Sequence, residues 1–304
     1  MSTHSEPPEH SGDEPTLSAV LGLLDDLYPA RWAESWDAVG LVCGDPGAPV
    51  RRVLFAVDPV QQVADEAVAF GADLVVTHHP LYLRGTTSVA ATTFKGRVVH
   101  TLLRAGAHGI ALYVAHTNAD SADPGVSDAL AEAIGLRVTG PLVPDPDDPA
   151  GRRGTGRIGE LPAAEPLSAF TARVAAGLPA TAAGVRAAGD PDRPIRRVAV
   201  CGGSGDSFFD AVRAAGVDAY VTADLRHHPA SEAVEAGGGT GRPEAPAPAL
   251  VDAAHWATEW PWLRRAERDL LAAAEKRGLR LETRVSTQVT DPWTAHAPMT
   301  APAG

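Results

Sequence analysis

Arg51-Arg-Val-Leu-Phe-Ala-Val-Asp-Pro-Val-Gln-Gln-Val-Ala-Asp-Glu-Ala-Val-Ala-Phe-Gly-Ala-Asp-Leu-Val-Val-Thr77 aligns without a gap on a second stretch of the same chain, Arg196 to Thr222. The two agree at Arg-Arg-Val, at Asp65 and Asp210, at Ala69 and Ala214, and at Gly-x-Asp-x-x-Val-Thr. In the first copy, the apolar and β-branched run Arg52 to Val57 reads as a buried strand, Gln61 to Phe70 as a helix closed by Gly71, and Leu74 to Thr77 as a second strand. Val198 to Cys201, Ser207 to Ala215 closed by Gly216, and Ala219 to Thr222 repeat that order. Strand, helix and strand of these lengths make a parallel βαβ unit. The chain therefore reads as α/β, with two pseudo-symmetric α/β lobes from an internal duplication and a metal site in the cleft between them.

The metal reading comes from the residues just beyond each copy. His78-His79-Pro80 comes directly after the first, and His227-His228-Pro229 comes after the second, four residues late. Further on, His116-Thr-Asn-Ala-Asp120 is answered by His255-Trp-Ala-Thr-Glu259. Imidazole and carboxylate together suit divalent transition metals, and open α/β sheets place ligands beyond the carboxyl ends of their strands. One such pair is a weak signal, since most histidines are solvated or satisfied core residues. Two sets in corresponding places of two half-chains can face each other across a cleft.

Adjacent residues in extended backbone point to opposite sides, so His78 and His79 suit two neighbouring ions better than one, and a dinuclear centre has ions about 3.5–4 Å apart. The five candidate ligands are His78, His79, Asp120, His255 and Glu259. Residues four apart share a helix face, and a tight turn would also bring them together. His116 is a further possible ligand or a support for Asp120. His227 and His228, displaced by Asp224-Leu225-Arg226, are candidates for proton transfer to substrate in the same cleft. Gly202, Gly203, Ser204 and Gly205, between a strand and a helix, offer backbone N–H groups to a phosphate or form a plain tight turn. Trp36 reads as a core residue or as a platform for a base.

A net charge of −12 and a pI near 5.3 lack the Lys/Arg-rich face that nucleic-acid binding needs. The two cysteines, Cys43 and Cys201, lie in apolar runs, which fits a reducing cytoplasm without a disulfide framework. Residues 1–16 lack the basic and apolar regions of a signal peptide and read as a disordered arm. No run approaches the ~18 apolar residues of a membrane span. Residues 17–140 then form the first lobe, 141–156 a Pro/Asp linker loop, 157–293 the second lobe with a return helix (Trp262 to Arg277) and strand, and 294–304 a disordered tail; 236–248 reads as a mobile loop.

Six ordered motifs carry a resemblance: Trp36-Asp37-x-Val39-Gly40-Leu41, Thr77-His78-His79-Pro80-Leu81, His116-Thr117-Asn118-x-Asp120, Gly156-Arg157-Ile158-Gly159, Val198-Ala-Val-Cys-Gly-Gly-Ser-Gly, and Asp252-x-x-His255-x-x-x-Glu259. Over about residues 17 to 293 the chain resembles the Nif-three-like family, the GTP cyclohydrolase type 2 homologues. The resemblance implies two α/β lobes around a dinuclear centre of two divalent ions, held by His78, His79, Asp120, His255 and a bridging Glu259. It also implies a homohexamer built as a trimer of dimers. Together these readings predict a metal-dependent hydrolase of a nucleotide-like small molecule, with GTP cyclohydrolase chemistry at guanine C8 as one form. A ring-shaped metal-containing binding protein without turnover is the alternative.

Overall fold

The structure is a computed structural model that describes residues 14–235 and 247–298. Two sheets organise it. The first contains β1 (Gly40–Cys43), β2 (Arg52–Ala56), β3 (Leu74–Thr77), β4 (Ala111–Val114) and β11 (Glu282–Val285), in the order β1-β4-β3-β2-β11. The second contains β5 (Arg137–Pro144), β6 (Gly154–Pro166), β7 (Val185–Ala188), β8 (Pro194–Ser204), β9 (Ala219–Ala223) and β10 (Ala249–Ala253), in the order β5-β6-β8-β9-β10-β7.

The repeated sequence builds the same local structure twice. β2 and β3 pair in parallel across α2 (Gln61–Phe70), and β8 and β9 pair in parallel across α7 (Phe209–Ala215). Gly71 and Gly216 end these helices in the left-handed region, at φ 68° and 60°, which glycine enters without a Cβ clash. The repeated aspartates explain themselves here. Asp73 accepts the backbone N–H groups of Arg51 and Arg52 at 2.7 and 2.9 Å, and Asp218 accepts those of Arg196 and Arg197 at 2.9 and 2.8 Å. Each carboxylate fixes the register at the mouth of its parallel pair.

Helices cover both faces of each sheet, so the parallel strands are apolar throughout rather than alternating. Val53, Phe55, Leu74 and Val76 face a central core shared with Val198, Val200 and Val221 of the second sheet. Leu54, Ala56 and Val75 face outward onto α2 and α3 (Phe94–Leu103). The central core also takes α1 (Leu17–Leu27), capped by the Thr16 hydroxyl, α5 (Val126–Ala133), α6 (Leu167–Gly177) and above all α9 (His255–Lys276), whose Trp262, Leu263, Ala266 and Leu270 are fully buried.

Three expectations need correction, and one helix is unannounced. The Pro141 to Gly156 stretch is a hairpin: β5 runs to Pro144 and β6 starts at Gly154, leaving only residues 145–153 as a loop. Its prolines are tolerated because β5 is an edge strand, where a missing N–H breaks no ladder. The return helix starts at His255, seven residues before Trp262, with Pro261 inside it. The lobes are not consecutive in sequence, since β11 pairs with β2 in the first sheet and β5 belongs to the second. Finally, α8 (His227–Glu235) is a helix that the sequence patterns do not announce. Expectations for residues 1–13, for 236–246 and for 299–304 lie outside the described residues.

Candidate metal centre

Three chain segments meet where the two sheets face each other. β3 ends at Thr77 and delivers His78 and His79. β4 leads to His116, which caps α4 (Thr117–Ser121) with Asp120 one turn along, and β10 leads to α9, whose first residue is His255. Both His-x-x-x-carboxylate motifs therefore straddle a helix start, where residues four apart share a face.

The histidines all turn the same nitrogen outward. His78 Nδ1 meets the carbonyl of Ala115 at 2.9 Å, His79 Nδ1 meets Asp58 at 2.7 Å, His116 Nδ1 meets Asp37 at 2.9 Å, and His255 Nδ1 meets Asp224 at 2.6 Å. Each partner is an acceptor, so each Nδ1–H donates and each Nε2 is left to face inward. On that inner side Glu259 lies 3.5 Å from His78 Nε2, 3.0 Å from His79 Nε2 and 2.9 Å from His255 Nε2. Asp120 approaches His78 Nε2 at 3.8 Å. Ligand atoms of His78, His79 and His116 lie within 4.8 Å of one another, and so do those of His79, His255 and Glu259.

The Duf34/NIF3 (NGG1p interacting factor 3) family matches residues 15–292. The chain belongs to this family. A relative from Streptomyces coelicolor named "GTP cyclohydrolase 1 type 2 homolog" is 62% identical, covering 93% of this chain and 95% of its own. One of the same name from Mycobacterium bovis is 39% identical, covering 91% and 96%. Among solved structures, a Staphylococcus aureus hypothetical protein is similar at 26% identity and a TM-score of 0.82, covering 93% of this chain and all of its own. A Bacillus cereus protein related to NIF3 has the same TM-score at 24% identity, covering 93% and 99%.

The histidines and carboxylates of the centre strongly shift one another's protonation. Burial disfavours the charged form of His255, yet Glu259 and Asp224 outweigh it and carry its pKa up to about 10. For His79, Glu259 and Asp58 likewise overcome burial and raise it well above the ordinary imidazole value. Burial alone would raise Glu259, but His79, His255 and His78 hold it well below the carboxylate range. Burial wins at Asp120, which is raised. His78 Nε2 and one oxygen of Glu259 are buried without a well-formed hydrogen bond, a costly arrangement for polar atoms. A divalent ion would relieve it, because imidazole Nε2 and carboxylate oxygen are ligands for divalent ions and the Nδ1 contacts are the usual outer support of metal-binding histidines.

Sequence reasoning missed those outer partners. Asp37 lies within one of the six motifs, yet no spacing assigns it a role; its carboxylate takes His116 and the Thr117 N–H and hydroxyl, and these hold it well below the usual range despite burial. Asp224 is visible in sequence only as an alignment partner: it occupies the place of His79 in the second copy. Asp58 closes its copy of the first strand, and a second hydrogen bond from Thr290 comes from the chain's far end.

Two expected features are placed differently. Asp224 adopts φ 58°, the one non-glycine residue in the left-handed region among those described, and the chain then turns into α8. That turn carries His227 into a separate cavity with Arg186, Leu225 and Val234, and neither His227 nor His228 lines the cleft beside the candidate ligands. The Gly202 to Gly205 run is mostly the end of β8. Its Gly202 and Gly203 N–H groups already donate to Ser127 and Thr258, which removes half of the expected phosphate cradle. What these glycines provide is room: a Cβ on Gly203 would stand 2.5 Å from Glu259 Oε1 and 3.0 Å from His255 Nε2.

Proposed function

We propose that the protein is a dinuclear metal-dependent hydrolase of a nucleotide-like small molecule. The observation that carries this reading is the set of four histidines with every Nδ1 anchored and every Nε2 turned inward onto or beside Glu259. His78 with His116 and Asp120 would hold one ion and His79 with His255 the other, with Glu259, 2.9–3.5 Å from the Nε2 atoms of His78, His79 and His255, within reach of both. The two clusters overlap at His79, which favours adjacent ions over a single one. When bound, two divalent ions lower the pKa of coordinated water toward neutrality and polarise a substrate oxygen.

The chain's own residues set up that chemistry. His78 is fully buried and Glu259 nearly so, which fixes one wall of the site. His116, Asp120 and His255 are partly exposed and line a cleft through which a substrate reaches the centre. Asp37, Asp58 and Asp224 hold the imidazoles in one tautomer and orientation. His227 and His228 have no part in this scheme. We also propose the hexameric assembly implied by the resemblance, to be read by sedimentation of the purified chain.

The test is elemental analysis and turnover on the same preparations, using metal-replete protein and a broad panel of nucleosides and nucleotides. About two ions per chain with hydrolysis of at least one compound is expected. Absence of metal sinks the centre; full metal loading without turnover makes the protein a metal-containing binding protein instead.

A further inference from the structure

The cleft beside the centre has a volume of about 450 Å³, in the range of small-molecule sites. Away from the candidate ligands its walls are hydroxyls and rings: Ser121, Ser127, Thr155 and Ser207, with the indole of Trp36 and the phenyl ring of Phe208. Trp36 is 58% exposed, unusual for so large an apolar side chain. Its ring stands edge-on to His116 with centroids 6.1 Å apart, so a flat molecule lying against the indole would reach the centre.

The charge of the cleft is more telling. Among the described residues that line it there is no Lys or Arg, and Glu34 adds a carboxylate. The neighbouring guanidinium groups are committed elsewhere. Arg157, two residues beyond Thr155, is fully buried and donates to the carbonyls of Ala122, Gly154 and Gly156 and to Asp128. Arg226 is ion-paired at 2.6 Å with Asp206, beside Ser207. The amides of Gly202 and Gly203 are also taken. Sites for polyphosphates gather cationic side chains or free backbone N–H groups, and this cleft's own residues offer neither in quantity, so the ions of the proposed centre would be its only cationic groups, confined to one end. Hydroxyls and carboxylates instead suit the N–H donors of a neutral ring.

We propose that the cleft takes an uncharged planar nitrogen heterocycle, a nucleobase or nucleoside without phosphates, stacked on Trp36. This narrows the substrate class of the hydrolase and rests on that reading only for the identity of the reacting end. The experiment is calorimetry on the full-length, metal-loaded protein with the four ribonucleosides and their triphosphates, for wild type, Trp36→Ala and Trp36→Phe. At least one nucleoside is expected to bind as tightly as its triphosphate or more so. Trp36→Ala should weaken it about 10-fold, within the range of base–aromatic stacking, and Trp36→Phe should restore most of the loss. Tenfold tighter binding of a triphosphate, no binding by any nucleoside, or unchanged affinity in Trp36→Ala overturns the proposal. Nucleoside binding without turnover would sink the hydrolase reading and leave this one standing, whereas turnover confined to triphosphates would do the reverse.

Discussion

Glu259→Gln isolates the charge at the heart of the centre, because the amide has nearly the shape of the carboxylate and leaves the packing of α9 intact. Glu259 Oε1 lies 2.9 Å from His255 Nε2, and two unit charges at that distance attract by about 6 kcal/mol at an effective dielectric of 20. In metal-free protein His255 titrates at about 10. Without the carboxylate, burial is opposed chiefly by Asp224, so the value should fall to near the ~6.5 of free imidazole, a change worth about 5 kcal/mol. Wild-type His255 therefore holds its proton from about pH 7 to 9, where the variant loses it. Its raised folded-state pKa stabilises the metal-free fold fully below about pH 6.5, and this stabilisation fades as pH rises toward 10. Ring-proton NMR titration of chelator-treated wild type and variant reads the change directly. An unchanged His255 titration would refute the claim that Glu259 sets the potential at the imidazoles, and with it the assignment of Glu259 as the central ligand.

Asp58→Asn removes the negative charge behind His79 and should weaken metal binding about 10–100-fold without unfolding the chain, as measured by competition with a chelator; unchanged affinity would mean that His79 is not a ligand. Gly203→Ala should lose metal more completely, since its Cβ would collide with Glu259 and its φ of 70° disfavours any side chain; normal metal content with retained fold would show that Glu259 has room to move. His227→Ala and His228→Ala should keep both metal content and turnover, and a large loss of either would bring α8 back into the site.

The parallel units are legible in the sequence because apolar runs, glycine C-caps and paired aspartates are local signals repeated at one offset. The ligand cluster is legible because residues four apart and strand ends have few geometries open to them. The outer carboxylates are not, since Asp37 and Asp58 meet their histidines through tertiary contacts that no spacing encodes. His227 and His228 mislead for a related reason. Their echo of His78 and His79 is real as text, but a left-handed residue at Asp224 turns the chain before they are reached. Pro261 hides the true start of α9, because proline disfavours a helix interior; the burial of Trp256 and Trp262 on either side holds the helix together across it.

The pairing of β11 with β2 also sets an order of assembly. During synthesis, β2 emerges more than two hundred residues before its partner, and the whole second sheet is made in between. Until Glu282 to Val285 arrive, one flank of β2 presents unpaired N–H and C=O groups, the kind of edge that recruits other strands. The nascent first sheet is thus the aggregation-exposed part of the chain, and a ribosome-released fragment ending before residue 282 should be poorly soluble even though it contains every candidate metal ligand.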